Sequence, residues 1–153
     1  MTDKLVHRYR QAVEPLLAVG ERMLDVATVY PVAGAEGLGD GLGAKLGNKL
    51  SRIGAVSGET GSLAQSFPTG EGAAMHKLLL VTDRRVAFVS TSDIRKAGEV
   101  HWHVPRHFVT RVERRPRLQA MARFRLHFAD GSAVSALTLR RRTIEALADQ
   151  LGR

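Results

Sequence analysis

The hydrophobic pattern changes its period along the chain, and these changes predict the elements of the fold. Over residues 3–18, apolar side chains recur at helical spacing and predict an N-terminal helix, which Pro15 should kink or shorten. Residues 22–30 are rich in β-branched side chains and predict a first strand. Near the C-terminus, apolar residues fall on one helical face over residues 140–151, which predicts an amphipathic closing helix.

Between these ends, the pattern from residue 76 onward is typical of strands. Apolar runs or alternating apolar and polar residues are separated by short polar connections, and Asp130-Gly131 is a strong hairpin signal. Close-spaced strands joined by hairpins favour an antiparallel sandwich or small barrel. The six further strands are predicted over residues 76–82, 86–90, 99–104, 108–113, 122–128 and 132–138.

A glycine-rich insert, residues 33–75, separates the first two predicted strands. Residues 33–72 hold 11 of the 15 glycines. A helix over residues 38–54 would carry a leucine stripe, a small-residue stripe and a basic stripe. Such a helix could bind a membrane surface or pair with another helix. We favour a mobile insert or a helix that lies on its own domain, because glycines weaken an isolated helix. Residues 54–72 are typical of a flexible connector. The candidate contact residues are Leu42, Lys45, Leu46, Lys49, Leu50 and Arg52.

Charge is concentrated in the second half of the chain. Residues 1–75 hold 7 Lys/Arg and 8 Asp/Glu, whereas residues 76–153 hold 16 Lys/Arg and 7 Asp/Glu, so the net charges are −1 and +9. Such asymmetry indicates an anionic partner, although arginines on ordinary solvated strand faces would give the same count. The candidate anion-binding or partner-binding residues are Arg84, Arg85, Arg111, Arg114, Arg115, Arg123 and Arg125.

Catalytic and metal chemistry find little support in the residues. There is no cysteine, which excludes disulfides and thiol chemistry. Strand alternation would place His101 and His103 on one face, but a third and fourth metal ligand are not evident. We therefore predict no metal, no cofactor and no enzyme activity.

The hairpin motifs resemble those of a known family. The stretch Leu78-Leu79-Leu80-Val81-Thr82-Asp83-Arg84-Arg85-Val86-Ala87-Phe88-Val89 is similar to a strand–turn–strand of bacterial pleckstrin-homology-like (PH-like) and GRAM-like domains. Gly20-Glu21 resembles their opening, and His127-Phe128-Ala129-Asp130-Gly131-Ser132 resembles their closing part. The resemblance implies an α+β, mostly β domain of about seven strands in two roughly orthogonal sheets, capped by the C-terminal helix. It also implies a binding or scaffolding role.

These observations predict a single domain over residues 1–153 that acts as a non-enzymatic binding module. Its expected partner is a protein or an anionic membrane surface. One alternative is a self-assembling structural protein that pairs through the helix over residues 38–54, and a weaker one is nucleic-acid binding through the arginines. The N-terminus has no apolar run typical of a signal peptide, so a cytoplasmic location, at most peripheral to the inner face of the membrane, is expected.

Overall fold

The computed structural model describes residues 3–31, 56–58, 61–68, 74–118 and 120–153. Three α-helices and nine strand segments lie in these ranges. The helices are α1 (Asp3–Val13), α2 (Leu63–Ser66) and α3 (Arg141–Leu151). The strands are β1 (Met23–Thr28), β2 (Tyr30–Pro31), β3 (Val56–Ser57), β4 (His76–Thr82), β5 (Arg85–Thr91), β6 (Glu99–Pro105), β7 (Val109–Leu118), β8 (Met121–Phe128) and β9 (Ala133–Thr138).

The strands form two antiparallel sheets. The first sheet has the order β1-β4-β5-β6, and the second has the order β2-β9-β8-β7, with β3 also paired to β9. Only Val29 separates β1 from β2, so the first predicted strand pairs with β4 in one sheet and then with β9 in the other. The fold is therefore α+β with mostly antiparallel strands, and the described strands make two sheets and not one closed barrel.

The core lies between the two sheets and α3. One cluster of buried side chains takes members from both sheets, among them Phe88 and Phe124, and from α3, among them Ile144 and Leu147. Their burial explains the apolar face of the predicted C-terminal helix. Because α3 packs against β7 and β1, it covers the opening between the sheets on that side.

The middle strands of the first sheet, β4 and β5, are buried on both faces. Leu79 and Val81 of β4 belong to the core, whereas Leu78 and Leu80 belong to a second cluster that contains Tyr9 of α1. A strand covered on both faces has no polar face to present to water, which accounts for the uninterrupted apolar run in β4. The N-terminal helix therefore occupies the outer face of the first sheet. It gives way at Glu14–Leu16 to a 3-10 turn that contains Pro15.

Part of the predicted connector is ordered structure. Ala64 and Phe67 are buried in the core, and Ser62 caps α2 by accepting a hydrogen bond from the backbone N–H of Gln65. Asp130 and Ser132, in the β8–β9 turn, accept hydrogen bonds from the N–H groups of Leu63 and Ala64 at 2.8 and 3.1 Å. These contacts fix the segment to the sandwich, which the loop-like composition did not predict.

A β-bulge also changes one predicted face. The pairing of β5 with β6 shifts between Phe88 and Val89, which leaves His101 as an extra residue in β6. As a result Trp102 packs in the core, whereas Val100 packs with the cluster beneath α1. Strict alternation along residues 99–104 predicts that Val100 shares a face with Trp102, and the bulge makes that prediction wrong.

Candidate functional site

The outer face of the second sheet carries a row of arginines on β7 and β8. Alternate residues of β8 are buried, so that the intervening side chains are left on the outer face. The register sets these side chains opposite residues of β7: Arg115 faces Arg123, Glu113 faces Arg125, and Arg111 faces His127. We call this set the arginine face. It comprises Arg111, Glu113, Arg115, Arg123, Arg125 and His127.

Glu113 is the acidic member of the arginine face and lies close to two arginines and a histidine. Its carboxylate oxygens lie 3.5 Å from Nη2 of Arg111, 3.4 Å from Nη1 of Arg115 and 3.4 Å from Nε2 of His127. Burial alone would raise the pKa of Glu113. The hydrogen bond to His127 and the charges of Arg115 and Arg111 outweigh burial and lower that pKa below its ordinary value. Glu113 is therefore ionised and neutralises only part of the surrounding positive charge.

Arg125 lies at the centre of the arginine face. Its Nη1 donates to Oγ of Ser135 at 3.0 Å and its Nη2 donates to Oγ of Ser57 at 2.7 Å. Burial, together with the positive charges of Arg115 and Arg123, lowers the pKa of Arg125 from its usual value. Burial is the larger cause of this lower pKa, and repulsion from the neighbouring arginines adds to it. An anion on this face would relieve that repulsion.

Arg123 adds an unsatisfied donor to the same face. Its Nε is buried and has no hydrogen-bond partner among the described residues. A buried donor without a partner costs free energy, because the group has lost water and gained nothing in exchange. An acceptor from a bound partner could compensate for that loss after a small shift of the guanidinium group.

The other predicted arginines lie away from the arginine face. Arg114 pairs with inward-facing Phe124, on the other side of β7. It lines a pocket of about 390 Å³ between β7 and α3, and Arg111 and Glu113 reach the edge of the same pocket. Arg84 lines a separate pocket of about 420 Å³, which it shares with Arg106 and His107. The structure thus brings Arg111, Arg115, Arg123 and Arg125 together and leaves Arg84 and Arg114 apart.

Arg85 has an internal partner. Its Nε donates to Oε1 of Glu21 at 2.8 Å, and its Nη2 donates to the carbonyl oxygen of Leu16 at 2.7 Å. Burial would raise the pKa of Glu21, but the hydrogen bonds from Arg85, the N–H of Ala18 and the hydroxyl of Thr82 lower it. Arg85 therefore connects the end of the N-terminal segment to the β4–β5 hairpin. We assign it a structural role and not a role in anion binding.

The histidines of β6 do not converge. His103 pairs with Ala87, which belongs to the cluster beneath α1. His101 instead hydrogen-bonds Oγ of Ser90 and lies beside Phe88, which belongs to the core. The bulge therefore separates the two imidazoles that alternation alone would place on one face. Within the described ranges, no group of three or more His, Asp or Glu residues could hold a metal ion.

The candidate residues of the glycine-rich insert lie outside the described residues. They are Leu42, Lys45, Leu46, Lys49, Leu50 and Arg52. Sequence reasoning did not include Ser57, Ser135 or Glu113 in the site. These residues hold the arginines in place, and only the strand register reveals that they do so.

Comparisons with known proteins do not place the chain in a family. No protein-family model matches it, and no curated protein matches it. Among the described helices, none is long and apolar enough to cross a membrane.

Proposed function

We propose that this chain is a PH-like binding and scaffolding module, not an enzyme, and that it holds an anionic partner on the arginine face. The partner is an anionic membrane surface or an acidic protein. The observation that carries the proposal is the clustering of four arginines on one sheet face around the carboxylate of Glu113, within the part of the chain that the structure describes. These arginines are Arg111, Arg115, Arg123 and Arg125.

The connectivity supports the PH-like assignment. One bent strand, β1 followed by β2, contributes to both sheets, and the C-terminal helix α3 lies across the opening between them. Two sheets with a C-terminal helix across one end are what the resemblance of the hairpin motifs implies. The helix α1 on the outer face of the first sheet is an addition to that plan, and it leaves the second sheet to present the charged face.

The chemistry of the arginine face supports binding. A guanidinium group keeps its charge at any physiological pH, so it binds anions well and transfers protons poorly. Arg125 is already held by two serine hydroxyls, which lowers the entropy lost when it contacts a partner. Charges arranged in this way favour fast, salt-sensitive association.

The test compares two double variants of equal charge change. Arg115→Glu with Arg123→Glu reverses the arginine face, whereas Lys4→Glu with Arg8→Glu reverses exposed charges on α1, which covers the other sheet. Binding is measured by titration against vesicles containing phosphatidylserine and, separately, against polyglutamate, at low and near-physiological salt.

We expect the full chain to bind at least one of these probes. The variant of the arginine face should lose roughly tenfold or more in affinity, since each reversal removes an attraction and adds a repulsion. The variant on α1 should keep most of the binding. Equal losses from both variants, or no binding of the full chain to either probe, would refute the proposal.

A further inference from the structure

The junction between β9 and α3 exposes an apolar side chain beside a run of cations. Leu139 is 58% exposed, and the next three residues, Arg140, Arg141 and Arg142, are also exposed. In the part of the chain that the structure describes, the side chains of these three arginines form no hydrogen bond or ion pair. Among the described residues, no ion pair neutralises these three charges.

The same end of the second sheet carries the tip of the β7–β8 hairpin. Thr138, which precedes Leu139, pairs with Ala122 at the start of β8, so the hairpin tip lies next to Leu139. Exposed Arg117 is part of this tip, and Arg115 and Arg123 follow it along the two strands. The arginine face thus continues to this edge, which we call the leucine–arginine end. It consists of Leu139, Arg140, Arg141, Arg142 and Arg117.

We propose that the leucine–arginine end rests on an anionic lipid bilayer, with Leu139 entering the headgroup region and the arginines contacting lipid phosphates. This inference rests on the proposed function and names its partner as a membrane surface. A bilayer interface accepts an apolar side chain and cations side by side, because apolar burial and attraction to anionic lipids act at the same depth. An acidic protein surface would complement the arginines but would give no reason for the exposed leucine.

A second exposed apolar residue provides the matched control. Val19 is 98% exposed and precedes β1 at its Met23 end. Leu139 lies near the other end of β1, because Thr138 Oγ1 donates to the carbonyl oxygen of Thr28. The surroundings of Val19 are mixed in charge: the carboxylate of Asp83 accepts the N–H of Arg22, and the guanidinium group of Arg84 lies against Gly20. An apolar residue in surroundings of mixed charge suits an anionic surface less well than one beside three consecutive arginines.

The direct test places a fluorescent reporter at each position. The single native tryptophan, Trp102, is buried and donates to Oγ of Ser66, so its emission serves as a constant background. The variants Leu139→Trp and Val19→Trp are titrated with vesicles of phosphatidylcholine alone and of phosphatidylcholine mixed with phosphatidylserine. We expect a blue shift for Leu139→Trp with the mixed vesicles only, and none for Val19→Trp.

A second pair of variants tests the arginines without changing the leucine. Arg141→Glu with Arg142→Glu should lower the partition of the chain onto the mixed vesicles by about tenfold or more. Lys4→Glu with Arg8→Glu carries the same charge change on α1 and should leave most of the partition intact. Far-ultraviolet circular dichroism of all variants checks that the fold is retained.

The outcomes separate this inference from the proposed function. A blue shift at Val19→Trp, or unchanged partition after reversal of Arg141 and Arg142, would place the membrane contact elsewhere and overturn the inference alone. Binding to polyglutamate without binding to any vesicle would also overturn it, while leaving an acidic protein as partner. Absence of binding to both probes would overturn the proposed function as well.

Discussion

Phe67 tests whether residues 61–68 form part of the core between the two sheets, because the composition of this segment predicts a loop. Its side chain is 6% exposed. Its ring makes edge-on contacts with Phe88 and Trp102, at centroid distances of 5.6 and 5.0 Å. Replacement of a buried Phe by Ala costs about 3–5 kcal/mol, and each aromatic pair contributes about 0.5–1.5 kcal/mol beyond its burial.

We expect Phe67→Ala to lower the free energy of unfolding by about 3 kcal/mol, near the lower end of that range. Phe67 directly follows the short helix α2, which can move into part of the space left by the ring. Urea unfolding followed by far-ultraviolet circular dichroism measures the change, because Trp102 fluorescence would itself respond to loss of the ring.

The control is Val19→Ala, which removes methyl groups from a side chain that is 98% exposed. Its effect should stay within about 0.5 kcal/mol. A loss below about 1 kcal/mol for Phe67→Ala would mean that residues 61–68 contribute little to the core, and their packing between the sheets would then be wrongly described.

Three further predictions concern the fold. Glu21→Gln should cost about 2 kcal/mol in urea unfolding, because it weakens the charge-assisted hydrogen bonds that a side chain only 2% exposed makes with Arg85. Since the fold lowers the pKa of Glu21, that stabilisation is present above the ordinary pKa of glutamate, about 4.3, and is lost as the pH falls through the lower pKa of the folded state. The unmodified chain should therefore lose more stability than the Glu21→Gln variant between neutral and acid pH. Equal losses would contradict a stabilising ion pair between Glu21 and Arg85. Replacement of residues 32–55 by a single threonine should preserve cooperative unfolding and binding to anionic probes, because Pro31 and Val56 pair with positions 136 and 134 of the same strand. Conversion of an oligomer to a monomer by this replacement, measured by light scattering, would instead support self-assembly through the glycine-rich insert.

The strands and the terminal helices follow from short-range patterns, so the sequence predicts them well. In β8 every second residue is buried, and in α3 the buried residues recur at helical spacing, because each element meets the core on one side. The residues of the arginine face on β8 could therefore be predicted. The arginines of β7 could be predicted as candidates, but not the residues that they face on β8. A pairing such as Glu113 with Arg125 depends on the strand register, which no local pattern determines.

Other features depend on contacts between residues far apart in the chain. Phe67 is buried only because Phe88 and Trp102 lie around it, and Arg85 is an internal partner only because Glu21, 64 residues earlier, is carried to it by β1. The bulge at His101 likewise arises in the pairing of two strands. Local composition describes Phe67 as part of a loop and Arg85 as a surface charge, since neither long-range contact leaves a periodic signal.

Co-sedimentation of the unmodified chain with neutral and with phosphatidylserine-containing vesicles, at low and near-physiological salt, measures whether the arginines attract anionic lipid. We expect binding to the anionic vesicles only, weaker as salt rises, because the arginine face and the leucine–arginine end attract lipid charge through a screened interaction. Equal binding to neutral vesicles, or binding that does not respond to salt, would contradict a contact made by the arginine face.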